Sequence, residues 1–180
     1  MKGMVRIIGG QWRRRCLPVI DLPGLRPSAD RVRETLFNWL GQDLSGLACL
    51  DVFAGTGVLG FEAASRGAAR VLMLEQNNQV AQQLHRNREV LGATQVEVVK
   101  ADAMTYLAKL PAQSFDVIFL DPPFAQDLLM PALALGCALL RPGGVIYTEN
   151  AALVIHPLLQ SYRQARAGQV YYQLLRTIDN

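Results

Sequence analysis

Apolar runs alternate with helical patterns along most of the chain, and the alternation begins near residue 50. The stretch Leu47–Gly60 reads LACLDVFAGTGVLG, in which an apolar run of strand-forming residues ends at Asp51 and a glycine-rich turn follows. The residues from Val58 to Arg66 then show helical periodicity. The pattern predicts a strand, a tight loop and the start of a helix, an arrangement in which backbone N–H groups closely approach a nucleotide-like ligand.

The same strand and helix unit repeats through the rest of the sequence. The predicted strands are Leu47–Phe53, Arg70–Glu75, Gln95–Lys100, Phe115–Leu120 and Val145–Glu149. The predicted helices are Asn77–Leu91, a short helix opening at Asp102, Leu128–Leu140 and Ala151–Gln160. Arg141–Gly144 is predicted to be a turn, and Tyr162–Arg166 and Gln169–Ile178 to form a terminal hairpin. We therefore expect an α/β fold, a doubly wound, Rossmann-like, mainly parallel seven-stranded sheet with a C-terminal antiparallel hairpin.

The first forty residues have a different pattern. Val5–Ile20 predicts a small hairpin because two extended pieces flank the turn signal Gly9–Gly10, and Leu22–Pro27 is a linker. Ser28–Leu40 is helical, with apolar residues at i, i+4 and i+8 and with a cap at Ser28 or Asp30. Arg31, Arg33 and Glu34 lie off the apolar stripe and are either solvated charges or the border of a ligand site. We expect residues 1–40 to be a basic extension of a domain formed by residues 41–180.

The charge of the chain is unevenly placed. Residues 1–40 hold eight Lys and Arg against three Asp and Glu, whereas residues 41–180 hold ten against twelve. A basic arm on a slightly acidic body indicates a polyanionic partner, most simply nucleic acid. Trp12 stands beside the cluster Arg13–Arg15, and because aromatic and guanidinium planes stack on unpaired bases, this favours RNA over a merely solvated surface.

Several classes of protein are disfavoured by the composition. The longest apolar run, Leu128–Leu140, is interrupted by Pro131 and is too short to span a bilayer, and the N-terminus has no apolar core of signal-peptide length. We expect a cytoplasmic protein without a membrane partner. Three cysteines without a CxxC pair and two isolated histidines argue against a disulfide framework and a metal site, and Cys49 is expected in the core.

Acidic residues close four successive predicted strands: Asp51, Glu75, Asp102 and Asp121. In an open α/β sheet the ligand lies beyond the carboxyl ends of the strands. Any one of these acids alone is commonly a helix cap or a loop charge. Four in succession indicate a binding site.

The glycine loop predicts a nucleotide-type cofactor. Residues 55–60 match GxGxxG, and Glu75 follows Gly55 by twenty positions, where an acid binds a ribose hydroxyl pair. Sites for NAD, FAD and S-adenosylmethionine share this logic. Asp51 favours S-adenosylmethionine, because a carboxylate suits its cationic, amine-bearing methionine part and repels a pyrophosphate.

The sequence DPPF of Asp121–Phe124 is the most specific signal in the chain. Two successive prolines fix the backbone and donate no hydrogen bonds, so the Pro122 carbonyl and the Asp121 carboxylate are both available as acceptors. An exocyclic amine of a nucleobase offers two matching donors, and Phe124 offers a face on which the base stacks. The alternative is a strand-end turn with a core phenylalanine.

Together these motifs resemble a known family. FAGTG after an acid, Glu75, ADA at Ala101–Ala103 and DPPF resemble the class I S-adenosylmethionine-dependent amino-methyltransferases. RIIGGQWR, LRPSADRVRETLFNWL and AGQVYYQLLR, which begin at residues 6, 25 and 167, are similar to the bacterial RsmD family. That family methylates the 2-amino group of one guanine in 16S rRNA, which implies rRNA methylation, an S-adenosylmethionine cofactor and the small ribosomal subunit as partner.

The resemblance also implies a role for each matching residue. The methionine and ribose part of S-adenosylmethionine would contact Asp51, Phe53, Ala54, Gly55, Thr56 and Gly57. Glu75, with Gln76 beside it, would hold the ribose hydroxyls, and Asp102 would accept from the adenine amine near the Ala103 N–H. Asp121 and Pro122, supported by Pro123, would hold the guanine amine, and Phe124 would stack on the ring.

Other functions fit parts of the sequence. A dinucleotide-dependent oxidoreductase leaves DPPF unexplained, and a non-catalytic RNA-binding module leaves the acidic strand ends without a role. Within the methyltransferases, an adenine-directed DNA or RNA enzyme and a protein-glutamine enzyme would use DPPF equally well. The N-terminal resemblance favours the rRNA enzyme. Because the chain is small for a second RNA-binding domain, we expect it to act on an assembled subunit, and nothing in the sequence demands a partner subunit, so we expect a monomer.

Overall fold

A mixed seven-stranded sheet forms the centre of the computed structural model, which describes residues 3–20, 29–123 and 127–178. The strands are β1 (Gly3–Arg6), β2 (Cys16–Val19), β3 (Ala48–Asp51), β4 (Arg70–Glu75), β5 (Val96–Lys100), β6 (Phe115–Leu120), β7 (Leu140–Asn150), β8 (Leu159–Ala167) and β9 (Val170–Thr177). The helices are α1 (Asp30–Trp39), α2 (Val58–Ser65), α3 (Asn78–Leu91), α4 (Ala103–Leu107) and α5 (Leu129–Leu139).

The strand order confirms the predicted doubly wound fold. The sheet runs β5-β4-β3-β6-β7-β9-β8, with parallel pairing from β5 to β7 and antiparallel pairing in the last two strands. The chain winds outward from β3 to β5 on one side and resumes at β6 on the other. The switch point, where ligands bind in such sheets, therefore lies between the carboxyl ends of β3 and β6.

Two apolar layers cover the sheet, because its central strands are continuous apolar runs that must be buried on both faces. Residues of α1, α2 and α3 pack in one cluster with Cys49, Val71 and Phe119. Residues of α4 and α5 pack in the other cluster with Leu50, Leu72 and Ile118. The core position predicted for Cys49 is confirmed, and its burial raises the pKa of the thiol to about 12.

The N-terminal residues form the predicted hairpin and bury its apolar side chains. Strands β1 and β2 pair antiparallel, with Val5 opposite Leu17. Val5, Leu17 and Val19 lie in the same apolar cluster as α1, α2 and α3. The predicted helix 28–40 is observed as α1, whose cap residue Ala29 makes no side-chain cap bond. The predicted linker Leu22–Pro27 and the cap candidate Ser28 lie outside the described residues.

The predicted helix Ala151–Gln160 is wrong. Pro157 has no N–H and disfavours helical geometry at the residue before it. The backbone of Val154 bonds instead to the side chain of Gln173, which accepts from its N–H at 2.7 Å and donates to its carbonyl at 3.4 Å. Leu159 then begins β8, opposite Thr177.

The fifth strand of the parallel part is longer than predicted. Strand β7 begins at Leu140, directly after α5, where the sequence predicts the turn Arg141–Gly144. Leu140 pairs with Phe115 and Val145 pairs with Val117, so the residues between them bulge out of the ladder. Leu140 and Phe115 are both buried, which explains why pairing starts before the glycines.

Candidate active site

Five acidic side chains gather at one edge of the sheet. The parallel strands β5, β4, β3, β6 and β7 all end there, and the acids within two residues of their ends are Asp102, Glu75, Asp51, Asp121 and Glu149. The structure thus brings together the four acids predicted from the sequence. It adds Glu149, which sequence reasoning missed although the residue closes a predicted strand in the same way. Leu120 pairs with Thr148, so Asp121 and Glu149 follow neighbouring positions.

The loop after β3 has a shape that requires glycine. Gly55 and Gly57 have φ angles of +52° and +74°, a region that other residues rarely adopt. A Cβ on Gly57 would lie 2.4 Å from Leu84 Cδ2, and one on Gly60 would lie 2.3 Å from Met73 Cε. The loop therefore fits tightly between the sheet and α3, with Gly57 as the N-terminal cap residue of α2.

The other loop residues predicted to bind the cofactor are buried or half-buried at this edge of the sheet. Ala54 and Thr56 are buried, and Phe53 is half-buried against the apolar layer on the α4 and α5 side. The Ala54 N–H donates to the carbonyl of Leu74 at 2.9 Å, which ties the loop to β4.

Asp51 is a buried carboxyl at the base of this loop. Its Oδ2 accepts a hydrogen bond from the Gly60 N–H at 3.1 Å. Burial and, to a smaller extent, the nearby Glu75 charge raise its pKa to about 7, although the Gly60 N–H acts in the opposite direction. A cation bound beside Asp51 would remove much of this cost, so the site suits an amine or sulfonium group.

Glu75 connects the glycine loop to the start of α3. Its Oε2 accepts from the Gly55 N–H at 3.0 Å and its Oε1 accepts from the Asn77 N–H at 2.7 Å. Gln76, predicted beside it in the cofactor site, is exposed. Each Glu75 oxygen keeps a second lone pair, which is the requirement for binding a ribose hydroxyl pair.

Asp102 serves as the cap of α4 and lies at the same edge. Its Oδ1 accepts from the Thr105 N–H at 2.9 Å, and this bond holds the pKa of Asp102 below its usual value. Ala103 is buried at the first position of α4. The Ala101 N–H donates to the Glu75 carbonyl at 3.0 Å and so joins this corner to β4.

The segment Asp121–Pro123 follows β6, across the switch point from the glycine loop. Asp121 is half-buried, Pro122 is buried and Pro123 is exposed, whereas Phe124 lies outside the described residues. Burial raises the pKa of Asp121 well above its ordinary value, and the Glu149 and Asp51 charges add to this effect. Asp121 is therefore an unusually basic carboxyl, suited to accept hydrogen bonds and a proton.

A buried ion cluster joins the N-terminal segment to α2, and sequence reasoning missed it. Glu62 is 0% exposed, and its two carboxylate oxygens accept from the backbone N–H groups of Ile8 at 2.9 Å and Gly9 at 2.7 Å. Arg66 pairs with it at 2.9 Å and Arg33 at 3.5 Å. Glu62 is the one charged residue of α2, and that isolation is the sequence signal that predicts its burial.

The same ion cluster holds the Arg33 side chain in the interior. Its side chain is 1% exposed, so it is neither a solvated charge nor a surface border of the ligand site. Its guanidinium donates to the Arg6 carbonyl at 2.9 Å and pairs with Asp30. Trp12 is half-buried, and its backbone N–H donates a hydrogen bond to Ser65 Oγ at 2.9 Å.

The described residues show neither a metal-binding cluster nor a membrane-spanning helix. Within residues 3–20, 29–123 and 127–178, no three His, Cys, Asp or Glu residues are placed to hold a metal ion, and all three cysteines are free. No helix in the described part of the chain has the length and apolar character needed to cross a membrane.

The switch-point geometry, the glycine loop and the reversed strand β9 inserted between β7 and β8 define a class I methyltransferase fold. A solved structure of precorrin-6y C5,15-methyltransferase from Geobacter metallireducens shares this fold, with a TM-score of 0.66 over 87% of this chain and 92% of that one at 18% identity.

Closer relatives specify the family. The profile described as "Conserved hypothetical protein 95" matches residues 5–176. Ribosomal RNA small subunit methyltransferase D of Escherichia coli K12 is 44% identical over 96% of this chain and 89% of its own length. Ribosomal RNA small subunit methyltransferase D of Haemophilus influenzae is 48% identical over 83% of this chain and 80% of its own length. The solved structure of yhhF from Escherichia coli has a TM-score of 0.87 at 43% identity, covering 97% of this chain and 98% of that one. The chain belongs to the family of ribosomal RNA small subunit methyltransferase D, and the predicted resemblance to the RsmD family is confirmed.

Proposed function

We propose that this protein transfers a methyl group from S-adenosylmethionine to the exocyclic 2-amino group of one guanine in 16S rRNA. The observation that carries the proposal is the position of Asp121 and Pro122 across the switch point from the glycine loop and Asp51. One half of this edge fits a cationic nucleoside cofactor, and the other half offers acceptors to an amine.

The residues of the loop fit S-adenosylmethionine in two respects. Gly57 and Gly60 allow the tight turn of the loop, because a Cβ at either position would collide with Leu84 or Met73, and the buried Asp51 carboxyl needs a cationic partner. Asp51 and residues 53–57 would hold the methionine and ribose, Glu75 and Gln76 the ribose hydroxyls, and Asp102 and Ala103 the adenine. S-adenosylmethionine supplies a methyl group on a sulfonium, so the protein has to hold the acceptor in line and remove its proton.

Asp121 and Pro122 would perform that positioning. A guanine amine is a poor nucleophile because its lone pair is delocalised into the ring. Two acceptors that hold both amine hydrogens favour the pyramidal form and aim the lone pair, and such positioning supplies most of the rate. The raised pKa of Asp121 suits it to take the proton that the amine loses. Pro123 would fix the backbone, and Phe124 would stack on the base.

Glu149 supports guanine over adenine as the target. Its carboxylate lies beside Asp121, and Oε1 is held by the Tyr147 hydroxyl at 2.8 Å. Guanine carries an N1–H donor next to its 2-amino group, whereas adenine carries an acceptor at N1. A second carboxylate beside Asp121 would accept from N1–H of guanine and repel the adenine edge.

Residues 1–40 would contact the RNA as a basic extension. The turn of the N-terminal hairpin exposes Arg13, Arg14 and Arg15. The cluster around Glu62 fixes this hairpin to α2, the helix that follows the cofactor loop. The target base would have to be unpaired or leave its stack to enter the site. We infer that the protein acts as a monomer in the cytoplasm, on assembling small subunits.

Methyl transfer from labelled S-adenosylmethionine tests the proposal. The substrates are small ribosomal subunits that lack the modification and, in parallel, 16S rRNA stripped of protein. Label in 2-methylguanosine supports the proposal, whereas label in a methyladenosine or in protein would assign the fold to another substrate. Activity on naked RNA with none on subunits would refute the assembled substrate alone.

A further inference from the structure

The C-terminal hairpin carries arginines without any acidic neighbour in sequence. Residues 151–178 contain Arg163, Arg166 and Arg176 and no Asp or Glu. All three arginines are exposed, and within the described residues none of them forms an ion pair with a carboxylate. The basic charge of this chain is therefore not confined to the N-terminal extension.

Each of these arginines lies over a tyrosine ring. The guanidinium carbons of Arg163 and Arg176 are 4.6 Å and 4.9 Å from the centre of the Tyr162 ring. Arg166 is 5.0 Å from the centre of the Tyr171 ring. Tyr162 remains 40% exposed, although two cations flank it. The five residues, which we name the hairpin cluster, present stacked planar groups and positive charge along the two outer strands, with Arg163 and Arg176 on one face and Arg166 and Tyr171 on the other.

The hairpin cluster reaches the catalytic edge of the sheet. Tyr171 pairs with Asn150, the residue directly after Glu149 at the end of β7. Arg166 pairs with Tyr171, so this end of the cluster lies level with the acidic site. Arg176 is opposite Gln160, further back along the outer strands. The cluster thus forms a strip that leads away from the site along the edge of the sheet.

Part of the strip also shares a face with α1. Tyr172 stacks on Trp39 of α1, with ring centres 5.3 Å apart. Tyr172, Leu174 and Arg176 alternate along β9, so their side chains project from the same face. Arg163 lies opposite Leu174 and belongs to this face as well. This is the face that carries the helix and hairpin of residues 1–40.

We propose that the hairpin cluster binds the RNA that flanks the target guanine, an inference that rests on the proposed function. The guanidinium groups bind phosphates, and the paired tyrosine and arginine planes stack on unpaired bases. An acidic protein surface would satisfy the charge but not the exposed stacking planes. The hairpin cluster and residues 1–40 would then both contact the RNA that leads into the catalytic edge.

The test replaces Arg163, Arg166 and Arg176 together by glutamine. The matched control replaces Arg86, Lys100 and Lys109, three exposed cations elsewhere that form no ion pair within the described residues, and removes the same charge. We expect the hairpin variant to bind naked 16S rRNA at least about tenfold more weakly, with a salt dependence reduced by about two phosphate contacts. S-adenosylmethionine affinity and the thermal midpoint should match those of the control.

The outcomes separate this inference from the proposed function. Failure of the unsubstituted protein to methylate rRNA would refute the proposed function. Methylation by that protein, with equal RNA affinity and salt slope in the hairpin and control variants, would overturn the inference. If RNA affinity is unchanged and only the KM for small subunits rises, the hairpin cluster contacts ribosomal protein. That outcome would also overturn the inference. If the triple variant fails to fold, Arg166→Gln alone gives the same comparison against Arg86→Gln.

Discussion

The hydroxyl of Tyr147 donates a 2.8 Å hydrogen bond to Oε1 of Glu149, and this bond fixes a carboxylate at the edge where the parallel strands end. Tyr147 is fully buried, and its burial together with the Glu149 charge raises the pKa of the phenol well above its ordinary value. The tyrosine therefore stays a neutral donor at any pH at which the protein functions. Because Glu149 lies beside Asp121, the buried Tyr147 side chain would control the geometry of the proposed amine site.

Replacing Tyr147 by phenylalanine tests this relationship. Loss of a hydrogen bond to a charged group corresponds to about 1.5 kcal/mol, so kcat/KM for the RNA substrate should fall about tenfold. S-adenosylmethionine affinity should not change. In a double-mutant cycle, Tyr147→Phe should have little further effect once Glu149→Ala is present, because the tyrosine acts through the glutamate. Additive losses would contradict that role.

The pKa of Asp51 predicts how cofactor binding depends on pH. Burial raises this pKa to about 7. The unfolded chain ionises Asp51 near its ordinary value of 3.8, so this group lowers the free energy of unfolding as pH rises between that value and about 7. A cationic ligand favours the ionised carboxylate. S-adenosylmethionine affinity should therefore rise with pH up to about 7 and then level off.

Isothermal titration at several pH values measures this effect. Binding below pH 7 should release up to one proton, which buffers of different ionisation enthalpy reveal. Asp51→Asn should bind more weakly and lose the pH dependence. A wild-type affinity that is constant across this range would show that Asp51 does not face the cationic part of the ligand.

Glu62→Gln should destabilise the protein strongly. The substitution leaves Arg33 and Arg66 buried without their shared carboxylate, and breaking a buried pair in this way costs about 3–5 kcal/mol. Glu97→Gln is the matched control, because Glu97 pairs with Arg70 on the surface at 3.3 Å and such pairs contribute about 0–1 kcal/mol. Urea unfolding of both variants gives the comparison. Equal unfolding midpoints would contradict the stabilising role of the buried ion cluster around Glu62.

Gly10→Ala tests the close docking of the N-terminal segment on α2. A Cβ at Gly10 would lie 1.9 Å from the Ser65 carbonyl oxygen, which accepts from the Gln11 N–H at 2.8 Å. Gly92 has a similar φ of +62° with open space around it, so Gly92→Ala carries the conformational cost of about 1 kcal/mol alone. Gly10→Ala should lower the free energy of unfolding by at least about 2 kcal/mol more than Gly92→Ala does, because the packing against Ser65 must also shift. Equal unfolding free energies would show that the contact yields at no cost.

Local patterns explain what could be predicted from the sequence. Strands β4 and β6 have the predicted bounds, because each is a continuous apolar run closed by an acid or a helix signal. The acids of the site follow from the same rule, since parallel strands bring their ends to one edge. Glu149 obeys the rule too and could have been predicted with them.

Contacts between distant residues explain what could not be predicted. The pairing of Glu62 with the backbone at residues 8–9 depends on packing that no local pattern encodes. The segment after Asn150 has enough apolar residues for a helix, yet its backbone is held by Gln173, which comes about twenty residues later. Tertiary hydrogen bonds outweigh propensity in a segment that also contains a proline.

The most direct test of the account is Asp121→Ala, measured by nucleoside analysis after methyl transfer to unmodified small subunits. Removing the acceptor that holds the amine should reduce the formation of 2-methylguanosine by at least about a hundredfold, because positioning supplies most of the rate. S-adenosylmethionine affinity should change far less than the rate, because Asp51, Glu75 and the glycine loop remain in place. Formation of 2-methylguanosine at the wild-type rate by the substituted protein would contradict the assignment of this edge as the catalytic site.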